Sequence, residues 1–348
     1  MHWDLFCRVI DNFGDIGVCW RLAADLGARG QTVRLWIDDP SALAWMAPHG
    51  AAGVECLTWR ADMQPSEPGD VVIEAFGCDP PPHFIERMAR RRRPPLWVNL
   101  EYLSAESYVK RSHGLRSPQL SGPGQGLDKW FFYPGFETGT GGLLRERGLM
   151  DERRRFDGHA WLQARGLTPR PGERVLSLFC YPHAPVAELL RALTDMPTLL
   201  LLTPGAAAQA ADQRPSAPML RCNELPWLSQ SDYDRLLWSC DLNFVRGEDS
   251  FVRALWAGAP FVWQIYPQHD AAHAAKLEAF LGLMLQDAPA GLDAALRGLY
   301  RAWNGLADAP LVLPDAAPWQ AHAQRWRDSL LTQPDLSSQL LEFVGERR

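Results

Sequence analysis

Between Cys240 and Ile265 the chain places a strand, a charged turn, a helix and a second strand in immediate succession, and few folds accept that order. Cys240-Asp-Leu-Asn-Phe-Val245 is a short, mostly apolar run, and Arg246 to Ser250 is polar and dense in charge. From Ser250 to Ala257 the apolar residues Phe251, Val252, Leu255 and Trp256 fall at the spacing of one buried helical stripe. Gly258-Ala-Pro260 ends that helix, and Phe261-Val-Trp-Gln-Ile265 reads as the next strand. Two strands joined through a helix run parallel, so the charged turn falls at the carboxyl edge of a parallel sheet, where open α/β sheets bind ligands. Free N–H groups at the helix start favour phosphate. Arg246 adds a cation, and Glu248 or Asp249 can accept from sugar hydroxyls. The combination suits the diphosphate of a nucleotide sugar.

The rest of the chain repeats the alternation. Trp3 to Ile10 reads as a first strand, Asp11-Asn-Phe-Gly-Asp-Ile-Gly17 as a turn, Val18 to Arg29 as a helix and Gln31 to Asp38 as a second strand. The turn is not G-x-G-x-x-G. Two carboxylates stand where a pyrophosphate would approach, which argues against a dinucleotide dehydrogenase. Strands follow at 54–59, 71–76 and 96–100, with a helix over 80–93 whose basic end complements the helix dipole. Residues 111–128 read as a long surface loop, and Trp130 to Gly142 is aromatic and then glycine-rich. One charged helical region spans 143–166, and Thr168-Pro-Arg-Pro-Gly172 is the best linker. Alternation restarts with a strand at 174–179 and ends in helices over 268–282, 289–304, 317–331 and 335–346. The fold expected is α/β, with two Rossmann-like domains facing across a cleft: residues 1–165, with a C-terminal helix at about 332–348 packing back on them, and 172–331.

The 348 residues are ample for two cores, and a net charge of −6 argues against nucleic acid as a partner. No apolar run approaches the ~18 residues of a membrane-spanning helix, so no membrane partner is expected. The seven cysteines are scattered and form no C-x-x-C pair, as in a reducing cytoplasm. His183, His269 and His273 lack metal-ligand spacing apart from one weak i, i+4 pair, and read as structural.

Asp11 and Asp15 lie four residues apart at the carboxyl end of the first strand, placed to take a proton from an acceptor. Aspartate is also a preferred helix cap, and acids at a helix start stabilise it, so capping competes with function here and at Glu248 and Asp249. Phe179 and Tyr181 flank the end of the strand at 174–179, where one could stack on a base. Pro226 to Gln230 could offer backbone groups to a base edge.

Asp11 to Gly17 with Cys19-Trp-Arg21, Phe179-Cys-Tyr181, the segment from Tyr233 to Trp238 and above all Arg246-Gly-Glu-Asp-Ser-Phe-Val-Arg253 resemble the EarP family of protein-arginine rhamnosyltransferases, which modify translation elongation factor P. The resemblance runs over essentially the whole chain. It implies a glycosyltransferase-B architecture, in which the N-terminal domain meets elongation factor P and the C-terminal domain holds dTDP-β-L-rhamnose. It further implies inverting transfer to a guanidino nitrogen of one arginine, without a metal or other cofactor, activating the factor for polyproline stretches. By the same resemblance Asp15 is the proton acceptor and Asp11 its companion carboxylate, while Asn12, Phe13 and Gly14 approach the sugar. Tyr181, Gln230, Arg246, Gly247, Glu248, Asp249 and Ser250 match the dTDP-rhamnose site, with Phe179 against thymine and Glu248 a second acid needed for activity. Two other readings stay open: an enzyme of the same architecture acting on another nucleotide sugar, and a non-catalytic module that binds a translation factor.

Overall fold

A computed structural model describes residues 1–10, 13–60, 66–211, 217–267 and 272–348. The chain divides into two compact units, Met1–Arg147 with Gln333–Arg348, and Gly148–Thr332. In the first unit the elements run β1 (His2–Cys7), α1 (Gly14–Ala28), β2 (Thr32–Ile37), α2 (Leu43–Met46), β3 (Val54–Thr58), β4 (Val71–Ala75), α3 (Pro82–Arg90), β5 (Leu96–Leu100), α4 (Tyr108–Ser112), β6 (Arg116–Pro118) and β7 (Asp128–Phe132). Their sheet has the order β3-β2-β1-β4-β5-β7-β6. Every pairing is parallel except that of β6 with β7. The inner strands β4 and β5 are buried along their whole length, as a parallel sheet covered on both faces requires.

The second unit holds α5 (Leu149–Arg155), α6 (Gly158–Ala164), β8 (Arg174–Leu178), α7 (Val186–Ala192), β9 (Thr198–Leu202), α8 (Ala206–Ala211), β10 (Leu220–Glu224), α9 (Gln230–Trp238), β11 (Leu242–Arg246), α10 (Asp249–Ala257), β12 (Phe261–Gln264), α11 (Ala272–Met284), α12 (Ala290–Trp303) and α13 (Ala316–Leu331). Its sheet is parallel throughout, in the order β10-β9-β8-β11-β12. The run Thr198-Leu-Leu-Leu-Leu202 is fully buried, matching its place beside the central strand. Both units are therefore Rossmann-like. The final helix, α14 (Leu336–Arg347), puts Leu336, Leu340, Phe343 and Val344 into the core of the first unit with Leu5, Ile16 and Leu22.

The first unit ends at Arg147, not near residue 165 as the composition suggests. Trp161 and Leu162 of α6 pack with Val175, Leu199 and Leu236 of the second unit, whereas Leu144 belongs to the core of the first. The division falls before Gly148, whose φ of 82° is the left-handed backbone that glycine adopts without strain. Thr168 to Gly172 accordingly lies inside the second unit, where the Arg221 guanidinium donates to the Thr168 carbonyl at 2.9 Å.

Other differences are local. The stretch from 143 to 166 forms two short helices rather than one, and the Asp157 carboxylate caps the second by accepting from the Ala160 N–H at 3.0 Å. Residues 111–128 are not all loop: Arg116–Pro118 adds an antiparallel edge strand, and Trp130 to Phe132 belong to β7. Of the helix expected over 268–282, residues 268–271 lie outside those described, and α11 spans Ala272–Met284.

Candidate active site

Strand β1 stops at Cys7, where its pairing with β2 ends, and α1 begins at Gly14. Asp15 is thus inside the first turn of α1 and not its cap. The capping position belongs to Phe13, which makes no side-chain capping bond. Asp15 is 2% exposed, and both carboxylate oxygens are engaged. Oδ2 accepts the Ile10 N–H at 2.8 Å, and Oδ1 accepts the Tyr102 hydroxyl at 3.2 Å. The loop carrying Ile10 is itself anchored, since the Val9 N–H donates to Asp38 Oδ1 at 2.9 Å, just beyond β2. Phe13 packs edge-on against Trp45 with ring centroids 5.2 Å apart. Asp11 and Asn12, both expected at this site, lie outside the described residues.

Tyr102, which the sequence did not single out, stacks on Phe76 at 4.3 Å and 13° between planes. Phe76 has φ 59°, a left-handed backbone uncommon for an aromatic residue. Its N–H donates to the Leu100 carbonyl at 2.7 Å, which fixes the turn after β4 against β5. An acid on α1 and a shelf of two aromatic rings thus meet at the carboxyl ends of β1, β4 and β5. The one sequence signal for Tyr102 was its place just after a buried strand.

Cys19 and Cys78 are poor nucleophiles in this setting. Burial pushes the Cys19 thiol well above its ordinary range, with Cys7 and the Asp15 charge adding to the effect. Burial pushes Cys78 up to about 12. None of the seven cysteines, all among the described residues, forms a disulfide.

In the second unit Arg246 ends β11 and pairs in register with Gln264. Its guanidinium carbon lies 4.5 Å from the Phe179 ring centroid and 4.4 Å from that of Tyr181, two residues that follow β8. The polar turn is shorter than its charge suggests, because Asp249 already begins α10 and only Gly247 and Glu248 connect strand to helix. Gly247 takes φ 62°, and its carbonyl accepts the Trp263 indole N–H at 2.8 Å. Ser250 ties the helix start to the strand end: its hydroxyl accepts the Arg246 N–H at 3.2 Å and donates to the Arg246 carbonyl. Gln230 opens α9, and its amide donates to Asp249 Oδ2 at 3.2 Å. The buried pair Arg253–Asp234, with contacts of 2.8 and 2.7 Å, locks α10 to α9. Glu248 is half-buried at the helix start.

Phe179, Tyr181, Gln230 and the run Arg246 to Ser250 are therefore gathered at one edge of the second sheet. Tyr233 meets Phe179 edge-on at 5.8 Å, and burial raises its phenol above the ordinary range. Burial holds Cys180 up at about 12 even though the Arg246 charge lowers it. His183 stacks on Tyr181 at 5.8 Å, and burial, then the charge of His273, lowers its basicity. His269 lies outside the described residues. Among the described residues no group of three His, Cys, Asp or Glu side chains is placed to share a metal ion, and no helix is long and apolar enough to cross a membrane.

Comparison with known proteins places these features in a family. Residues 3–345 match the profile described as elongation-factor P rhamnosyltransferase EarP. The protein-arginine rhamnosyltransferase of Pseudomonas aeruginosa is 46% identical over 99% of both chains, and that of Shewanella oneidensis is 36% identical over 99% of this chain and 97% of its own. Among solved structures, one from work on EarP-mediated arginine glycosylation of translation elongation factor EF-P superposes with a TM-score of 0.70 at 32% identity, covering 99% of each chain. The glycosyltransferase VinC, solved with dTDP, shares the fold alone, with a TM-score of 0.53 at 13% identity over 100% of both chains. The chain is a glycosyltransferase of glycosyltransferase-B fold, and it belongs to the EarP family of elongation-factor P rhamnosyltransferases.

Proposed function

We propose that this chain moves L-rhamnose from dTDP-β-L-rhamnose to a guanidino nitrogen of an arginine on elongation factor P, with inversion at the anomeric carbon. The observation that carries the donor half is Arg246. A guanidinium at the carboxyl end of β11, beside the start of α10 and against Phe179 and Tyr181, suits a diphosphate attached to an aromatic base. Family membership supports rhamnose and elongation factor P as the other components.

The acceptor half falls on Asp15. A free arginine holds its proton with a pKa above about 12, so outright removal by a carboxylate near 4 is uphill by roughly 11 kcal/mol. The proton therefore moves as the new bond forms. The guanidino nitrogen attacks the anomeric carbon and the C–N bond forms. The bond from that carbon to the diphosphate oxygen breaks with its electron pair going to dTDP, and the nitrogen's proton passes to Asp15. Asp15 orients the guanidinium and localises its charge beforehand. Asp11 is its companion, and Asn12, Phe13 and Gly14 adjoin the sugar. Arg246 and the N–H groups opening α10 stabilise the departing diphosphate without a metal. Phe179 stacks on thymine, Tyr181 and Gln230 complete the donor site with Gly247, Asp249 and Ser250, and Glu248 accepts from a rhamnose hydroxyl. The reaction takes place in the cytoplasm, in keeping with seven cysteines that form no disulfide.

Intact-mass measurement of elongation factor P after incubation with this protein and dTDP-rhamnose tests the whole reading. A gain of one deoxyhexose is expected, and no gain overturns it. A gain with UDP-sugars but not with dTDP-rhamnose would move the assignment to another donor.

A further inference from the structure

Gln264 closes β12 with a side chain that is fully buried. Chemistry fixes which of its amide atoms is which: the Tyr181 N–H can only donate, so the atom 2.7 Å from it is Oε1 and the other is the NH2 group. That NH2 group is enclosed and has no hydrogen-bond partner among the described residues. Enclosing amide donors without an acceptor is costly, and a buried group left in that state calls for a reason.

The surroundings supply one. Gln264 pairs in register with Arg246, so the two side chains leave the same face of the sheet. Strand β11 lies between β8 and β12, so Gln264 crosses the end of β11 to reach Tyr181, whose ring lies 4.4 Å from the Arg246 guanidinium carbon. An amide donor and a cationic donor converge at one place on the carboxyl edge. Donors of that kind match an anionic oxygen.

The geometry points to Gln264 as a positioning residue of the donor site, fixing the Tyr181 backbone through Oε1 and donating through Nε2 to an oxygen of the nucleoside diphosphate that Arg246 neutralises. The inference rests on the donor reading above. Because Nε2 is enclosed, a neighbouring side chain shifts when the oxygen arrives. Arg246, long, flexible and drawn to phosphate, is suited to do so.

Calorimetry with dTDP and with thymidine at pH 8 separates the two roles of Gln264. Gln264→Glu keeps an acceptor for the Tyr181 N–H but replaces the donor with an anion, whereas Gln264→Met removes both. Both variants are expected to bind dTDP at least about tenfold more weakly than wild type, with thymidine affinity within about twofold and unfolding temperatures close to wild type. If Gln264→Glu binds dTDP like wild type while Gln264→Met is weakened, the residue only anchors Tyr181 and the proposal fails. Equal losses of dTDP and thymidine in Gln264→Glu overturn it as well. If that variant does not fold, Gln264→Met decides: selective loss of dTDP supports the proposal and equal loss of both ligands overturns it. A wild-type protein that binds no dTDP defeats the donor reading itself, an outcome distinct from any difference between variants.

Discussion

The Tyr102 hydroxyl donates to Asp15 Oδ1 at 3.2 Å while the Ile10 N–H holds Oδ2 at 2.8 Å, so one carboxylate on α1 is tied to the loop after β1 and to the segment after β5. Each carboxylate oxygen already holds one hydrogen bond, and each keeps a further lone pair for an incoming guanidinium. A base held this way meets a planar guanidinium in one orientation, which is where positioned catalysis gains its rate.

Asp15→Asn preserves most of that geometry. The new carbonyl can accept the Ile10 N–H, and the new NH2 can donate to the Tyr102 oxygen, which rotates its own proton away. What disappears is the proton acceptor. Rhamnosylation of elongation factor P is expected to fall by about 10³-fold or more, with stability within about 1 kcal/mol of wild type. Affinity for dTDP-rhamnose should stay nearly unchanged, because the residues proposed to hold the dTDP moiety belong to the other unit. Time-resolved intact mass and calorimetry check both halves, and near-normal turnover would remove Asp15 from its role.

Tyr102→Phe keeps the ring stacked on Phe76 and deletes only the hydroxyl. Turnover is expected to drop about tenfold, the scale of one ordering hydrogen bond, with little change in KM for elongation factor P. Tyr102→Ala also removes the aromatic shelf and should raise that KM. Steady-state kinetics on the two variants separates the contributions, and a phenylalanine variant with wild-type kcat would show that the hydroxyl is idle.

Much of this was legible in the sequence because the signals are local. The βαβ unit around Arg246 declares itself through apolar spacing, a stop at Gly258 and a second apolar run, and the structure places the strand and helix there within a residue or two. The site residues missed are those brought in by topology. Tyr102 reaches Asp15 across 87 residues of chain, and Gln264 reaches Tyr181 across 83, distances over which no periodicity carries information. The unit boundary was misplaced for the same reason: Trp161 joins the second unit through contacts with Leu199 and Leu236 that a single sequence does not display. Asp15 was legible as an acid near a turn. Its burial inside α1, which removes the simple capping explanation, was not.

Arg246→Ala removes the guanidinium that lies against Phe179 and Tyr181. Charge-assisted bonds to phosphate stabilise by about 1.5–3 kcal/mol, so dTDP affinity is expected to weaken by roughly 10- to 100-fold. Arg246→Lys keeps the charge but loses the planar group that stacks, and should fall between alanine and wild type. Calorimetric titration with dTDP reads all three. An alanine variant with unchanged affinity would displace the diphosphate from this edge of the sheet.

Glu74 gives the first unit a pH dependence of its own. It lies on β4, almost wholly buried, accepting the Trp97 indole N–H at 3.0 Å and pairing with the Lys129 ammonium at 2.6 Å. Burial pushes its carboxyl from 4.5 up to about 7, and the Lys129 and Trp97 contacts only partly oppose the rise. A folded pKa above the unfolded one means that the folded state binds more protons between those two values. The stabilisation is thus complete below about pH 4.5 and is lost as pH rises through about 7. A shift of this size corresponds to about 3 kcal/mol at most. His113 works in the opposite sense, since burial, then the Arg347 charge, lowers its basicity and favours the folded state as pH rises through the histidine range. The two are separated by comparing wild type with Glu74→Gln in urea unfolding at pH 5, 6, 7 and 8. Wild type should lose stability relative to the glutamine variant as pH rises, and a constant difference across that range would show that Glu74 keeps an ordinary carboxylate pKa in the fold.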